Sequence, residues 1–329
     1  MPRIVRFHQT GGPEVLQIED LPSRQPGPDE VRIRVAALGL NRAEAMFRAG
    51  NYLEPPVLPA RIGYEAAGVI DALGEGVEGL QPGDAVAVVP AFSMTAYGVY
   101  GEEAVVPARA VVKTPPELSA VEAASLWMQY MTAYGALIDI GELDTDDFVL
   151  IPAASSSVGI AAIQIARMMG ATPIATTRTE EKKQALLDLG AAAVIVTEEE
   201  NLVEEVRRLT DNRGARIVFD PVAGPYVENL ASVTSPGGIL FIYGALSLKA
   251  TPFPLFKALA NALSIRGYTV FEISLDDDRL ARGVHFVKQG LAHGLLKPII
   301  ARTFPFEQIV DAHRYMESNE QIGKIVVTV

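Results

Sequence analysis

The strongest constraint on this chain begins at residue 146, where short apolar runs and helical stretches start to alternate. DDFVLIPA (146–153) reads as a strand, SVGIAAIQIARMMG (157–170) as a helix closed by glycine, and TPIATT (172–177) as a strand. EEKKQALLDLG (180–190) is a second glycine-stopped helix, AAAVIV (191–196) a strand and NLVEEVRRLTD (201–211) a helix. RIVFD (216–220) and GGILFIYG (237–244) supply further strands. Strands joined through helices cannot close as hairpins, so they lie parallel, with helices covering both faces of the sheet. Before them, SAVEAASLWMQYMTAYGAL (119–137) has helical apolar spacing behind Ser119 as N-cap.

The N-terminal third has another texture. VRIRVAALGL (31–40) alternates and then becomes continuously apolar, EAAGVIDALG (65–74) and DAVAVV (84–89) repeat the theme, and GVEGLQPG between them is turn chemistry. AVVPARAVVKTPPELS (104–119) adds a strand pair and a Pro-Pro break. The expected class is α/β, a β-rich domain plus a doubly wound parallel-sheet domain. At 329 residues, two domains are the natural division.

A doubly wound sheet holds a dinucleotide where a strand turns tightly into a helix whose first amides face the pyrophosphate. Here that turn is Ala153-Ala154-Ser155-Ser156-Ser157-Val158-Gly159. Against G-x-G-x-x-G it keeps only Gly159, and by itself it also fits an ordinary βα turn. Small residues still permit close backbone approach, and the hydroxyls of Ser155, Ser156 and Ser157 can donate to phosphate oxygens. The end of the next strand selects the cofactor. An acidic residue there accepts from a ribose 2′-OH, whereas this chain has Thr177 and Arg178, with Lys182 one turn on. Those residues attract a 2′-phosphate, so NADPH is the expected cofactor. Tyr243-Gly244-Ala245-Leu246-Ser247 follows another strand end, where the nicotinamide lies in such folds.

Composition excludes several classes. The net charge of −12 argues against a general grip on nucleic acid. With no cysteine there are no disulfides, thiolate nucleophiles or Cys-based zinc sites, and His8, His285, His293 and His313 are scattered. MPRIVRFHQTGG lacks a continuous apolar core, and no long apolar run crosses a membrane. A soluble, cytoplasmic protein is expected, without membrane partners.

Five motifs then occur in order: GLNRAEAMFRAGNY, IGYEAAGVIDALGEGV, PGDAVAVV, AASSSVGIAAIQIAR and GKIVVTV. Together, across essentially the whole chain, they resemble the zinc-free, quinone oxidoreductase-like branch of the medium-chain dehydrogenase/reductase superfamily. The resemblance implies a GroES-like catalytic domain over 1–120, a Rossmann domain over 121–267, and a segment 268–329 that completes the catalytic domain. It further implies substrate in the cleft between the domains and a homodimer or homotetramer.

It also implies roles. Zinc-dependent relatives carry Cys where Asn41 stands and Gly-His-Glu where this chain has Gly63-Tyr64-Glu65. Glu65 alone cannot hold zinc. Tyr52 matches the tyrosine that enoyl-thioester reductases of the family place near substrate, Asn41 resembles the asparagine beside the nicotinamide, and Tyr64 fills the zinc histidine's place. Thr132 matches a threonine opening the cofactor cleft, and Gly267-Tyr268-Thr269 lines the substrate end. Met46 replaces a further tyrosine of many quinone reductases, which widens the possible acceptors. The leading expectation is NADPH-dependent reduction of a quinone or unsaturated carbonyl. A zinc-free alcohol or carbonyl dehydrogenase and a non-catalytic NADPH-binding protein are the alternatives.

Overall fold

The computed structural model describes residues 1–329. The chain divides into two compact units, Met1–Met128 with Pro298–Val329, and Gln129–Lys297.

Strand Glu30–Gly39 is the spine of the first unit. Its burial alternates in the middle and becomes continuous toward Gly39, following its apolar pattern. One edge pairs antiparallel with Glu65–Leu73. The other edge is shared: Glu103–Pro107 covers its first half, and Lys324–Thr328 covers Ala37 to Gly39. Ala85–Val88, Val111–Lys113 and Ile300–Pro305 complete a seven-stranded sheet. A three-stranded sheet orders Gln17–Asp20, Arg3–Phe7 and Ala60–Arg61. The end of the chain thus closes a sheet that its beginning started.

The second unit is built on six parallel strands in the order Ala193–Val196, Thr172–Thr177, Phe148–Ile151, Ala215–Asp220, Thr234–Ile242 and Ser264–Gly267. The order reverses beside Phe148–Ile151, the strand that comes first in the chain. That reversal is the topological switch point at which such sheets bind ligands. Leu150, Ile174, Val218 and Leu240 from the sheet pack with Leu202, Val206, Val227 and Leu230 from two helices to form a dry core.

The chain passes between the units after Met128 and again after Lys297. Helix Asp277–Ala292 belongs to the second unit, where Phe286 packs against Tyr134 with ring centres 5.1 Å apart and Arg279 pairs with Asp139 at 2.6 Å. The helical stretch after Ser119 is also three pieces: Ala120–Ala123, Trp127–Tyr134 and a wider turn Gly135–Ile140. At the first break Ser125 Oγ donates to Glu122 O at 2.7 Å, and Met128 N donates to the Glu65 carboxylate at 3.0 Å. No helix is long and apolar enough to cross a membrane.

Candidate active site

Because all six strands of the second unit run the same way, the segments leaving their carboxyl ends gather along one edge. They are Ala153–Gly159, Thr177–Lys182, Asp220–Ala223 and Tyr243–Ser247. Ala153 adopts φ +48°, the left-handed region that costs an L side chain. Ser156 caps helix Ser157–Met168, its Oγ accepting from Gly159 N at 3.1 Å. The first amides of that helix, including those of Ser157 and Val158, have no carbonyl of their own helix to donate to. A Cβ at Gly159 would stand 2.6 Å from Ala154 O, so only glycine allows this approach of helix to strand.

Lys182 Nζ donates to Ser155 Oγ at 3.3 Å, which brings a cation onto the turn. Thr177 is buried at its strand end, with its carbonyl accepting from Thr197 N at 2.9 Å, and Arg178 next to it is exposed. Tyr243 stacks on Phe219 at 3.9 Å between ring centres, and its buried hydroxyl lies beside Ser156. Ser247 N donates to Val222 O at 2.8 Å, and Gly244 and Ala245 connect these residues. Thr132 is buried on helix Trp127–Tyr134. A capped helix start, a glycine-tight approach and a cation on one edge fit the phosphates of a dinucleotide. Asp220, missed in the sequence, holds this edge: its two oxygens accept from Val222 N at 2.8 Å and Ala223 N at 2.9 Å. Burial pushes its carboxyl up.

The first unit carries a second, closed polar cluster. Asn41 caps helix Arg42–Arg48, and its Nδ2 donates to Glu65 Oε2 at 3.1 Å and Glu44 Oε1 at 3.2 Å. Lys324 Nζ donates to Asn41 Oδ1 at 2.6 Å and pairs with Glu65 Oε2 at 2.5 Å, with both charged side chains fully buried. Glu44 accepts from Asn41 N, Tyr64 N and Tyr100 OH, the last two at 3.0 and 2.7 Å. Burial still pushes its carboxyl up. Sequence reading identified Asn41 and Glu65 here but not Glu44, Tyr100 or Lys324.

These donors do not fit a zinc ion. Zinc wants thiolate, imidazole or free carboxylate, whereas Asn41 and Tyr64 stand at two ligand positions and Lys324 already neutralises Glu65. No cluster of three or more histidines and acidic residues is arranged to hold a metal.

Tyr52 and Tyr64 lie together, ring centres 6.4 Å apart, with their hydroxyls hydrogen-bonded to each other. Burial pushes the Tyr52 phenol up to about 12, against a lowering by Tyr64. Tyr64 is fully buried against Phe92, and its hydroxyl donates to Glu54 Oε1 at 3.2 Å. Glu54 also accepts from Met94 N at 2.7 Å and from Ser93 Oγ. Neither Glu54 nor Ser93 carries a recognisable motif.

A six-stranded parallel sheet in this order beside a separate β-rich unit is an architecture found in nicotinamide-dependent dehydrogenases and reductases. Residues 27–116 match the alcohol dehydrogenase GroES-like domain and residues 157–287 the zinc-binding dehydrogenase domain. The quinone oxidoreductase of Pongo abelii is 31% identical over 99% of this chain and 97% of its own length. The 2-haloacrylate reductase of a Burkholderia species is 30% identical over 98% and 97%. Among solved structures, Escherichia coli quinone oxidoreductase complexed with NADPH superposes with a TM-score of 0.91 at 27% identity, covering 99% of this chain and 100% of that one. An NAD-dependent alcohol dehydrogenase superposes with a TM-score of 0.89 at 33% identity, covering 99% of both. The chain belongs to the zinc-free, quinone oxidoreductase-like branch of the medium-chain dehydrogenase/reductase superfamily.

Proposed function

We propose that this oxidoreductase uses NADPH to reduce quinones or carbonyl-activated C=C bonds. The observation that carries the reading is the filled metal position. With Lys324 locked onto Glu65 and Asn41, charge developing on a substrate oxygen has no metal to meet it, and a neutral hydrogen-bond donor must do so. Tyr52 is that donor: its phenol, held near 12 by burial, stays protonated at neutral pH. Quinones and α,β-unsaturated carbonyls suit such a site, because hydride adds at carbon while charge collects on oxygen. Bound cofactor supplies the hydride. Lys182 with Ser155, and the exposed Arg178 after Thr177, supply the preference for a 2′-phosphate. The acrylate acceptor named for the Burkholderia relative and the NADPH of the E. coli structure agree with this reading.

Tyr52→Phe tests it. Removing one donor to a developing oxyanion costs about 10²–10³ in kcat. That loss is expected on enones, with NADPH affinity unchanged and a milder loss on quinones, whose hydroquinone oxygen solvent can protonate. Wild-type turnover on both acceptors by the variant would reduce Tyr52 to packing. A second reading, oxidation of an alcohol with Tyr52 taking the proton, is favoured by the 33% identical alcohol dehydrogenase. Steady turnover of alcohols with NAD⁺, and none of enones with NADPH, would establish it instead.

A further inference from the structure

We propose that Tyr64 and Glu54 form the proton path that recharges Tyr52, linking the reacting phenol to solvent. The proposal rests on the reading of Tyr52 as the group that touches substrate. Tyr64 and Glu54 are then positioning residues that act through it.

The geometry is a short chain of alternating donors and acceptors. Tyr52 and Tyr64 are hydrogen-bonded through their hydroxyls. Tyr64 OH reaches Glu54 Oε1 at 3.2 Å, the oxygen that also accepts from Met94 N at 2.7 Å, while Ser93 Oγ donates to the other oxygen, Oε2. Tyr64 is fully buried between two half-buried groups, Tyr52 and Glu54, and Ser93 beyond Glu54 is exposed. Tyr64 therefore meets water through the carboxylate. The other charged group near it is Glu44, which accepts from Tyr64 N at 3.0 Å and adds negative potential beside Tyr52. A Tyr52 phenolate left after proton donation would face two carboxylates in a buried setting. Rapid return of its proton removes that penalty.

The step balances without a further reagent. The hydride carries an electron pair from reduced nicotinamide to the acceptor carbon, and the Tyr52 O–H bond breaks toward the substrate. The Tyr64 proton passes to the Tyr52 oxygen. Glu54 takes a proton from water and hands it to the Tyr64 oxygen, leaving hydroxide equivalent in bulk solvent. Run backwards, the same path carries an alcohol proton out to the carboxylate.

The test uses Glu54→Gln, which keeps the acceptor for Met94 N and Tyr64 but cannot carry a proton, together with Tyr64→Phe. Each is expected to lower kcat on an enone by about 10²-fold, the low end for acid–base groups, with NADPH affinity and melting temperature held. The double variant should be no slower than Tyr64→Phe alone, since both act on one path. In wild type the solvent deuterium effect on kcat should show more than one proton in flight, and one only in either variant. Formate should restore part of the turnover of Glu54→Ala. Wild-type kcat and isotope effect in Glu54→Gln, multiplied losses in the double variant, or losses matched by weaker NADPH binding without formate rescue would each overturn the path. If Tyr52→Phe is slow while Glu54→Gln is normal, the path alone fails. If Tyr52→Phe is itself normal, the reading of Tyr52 fails and takes the path with it.

Discussion

The dinucleotide edge of the second unit and the buried polar cluster of the first are both rich in hydrogen-bonding groups, but they spend them differently. Around Asn41, every charge has a protein partner: Lys324 with Glu65, and Glu44 with four donors. Around Ser156, capacity is left over in the first amides of helix Ser157–Met168. Buried polar groups that are fully paired hold a structure in one arrangement. Unpaired ones at a helix start are available to a ligand. The contrast separates scaffold from binding surface in a chain where both look equally polar.

The hardest test of that contrast is Lys324→Met. Removing one member of a buried pair leaves an uncompensated charge and costs about 3–5 kcal/mol, seen as a large drop in denaturant midpoint. The double variant Lys324→Met with Glu65→Leu should recover much of it. A single variant within about 0.5 kcal/mol of wild type, the scatter of ordinary surface changes, would mean that the cluster is not structural.

His313 probes the same unit through pH. It is fully buried, its Nδ1 accepts from Arg48 Nη1 at 2.7 Å, and burial followed by the nearby arginines lowers its pKa to about 3. In the unfolded chain it titrates near 6.5. Between those values the unfolded chain binds a proton that the folded one refuses, so this contribution is fully present above about pH 6.5 and is lost as pH falls toward 3. His313→Asn keeps an acceptor for Arg48 without titrating. Its unfolding free energy should fall by about 2–3 kcal/mol less than wild type between roughly pH 6.5 and 4.5. Parallel pH profiles would show that the imidazole is already charged in the fold.

On the open side, Lys182→Ala and Arg178→Ala should each weaken NADPH about tenfold in a fluorescence titration, one charge-assisted contact being worth roughly 1.5–3 kcal/mol. NADH should bind almost as before. Equal losses for both cofactors would make these residues structural. The smallest effect is expected at Ala153, where φ is +48°. Glycine there relieves left-handed strain but loosens the unfolded chain, for a net gain of about 0.5–1 kcal/mol. A loss of stability would show that the alanine methyl packs usefully.

Legibility in the sequence followed the same division. The turn from Ala153 to Gly159 is seven consecutive residues, so strand, turn and helix cap could be read locally, and so could the parallel sheet. The cluster draws on Asn41, Glu44, Glu65, Tyr100 and Lys324, which no periodicity relates. Glu54 was equally invisible, because YLEPP reads as a loop and its meaning comes from Ser93 and Met94 on a distant turn. The break at Ala124 to Leu126 escaped because the competing acceptor for Met128 N, Glu65, lies far back in the chain.

Strand Lys324–Thr328 carries a consequence for how the chain is made. It pairs with Ala37 to Gly39 and delivers the only ammonium that meets Glu65. On the ribosome, the helices and strands of Gln129–Lys297 are all synthesised before it. The earlier-made unit must therefore wait, its central sheet edge open and its acidic interior uncompensated, until Lys324–Thr328 has left the ribosome. Nascent chains stalled with Lys297 outside the ribosome and Lys324–Thr328 still inside its tunnel should be protease-sensitive in their first third and resistant in the middle, the reverse of the usual order of maturation from the N-terminus.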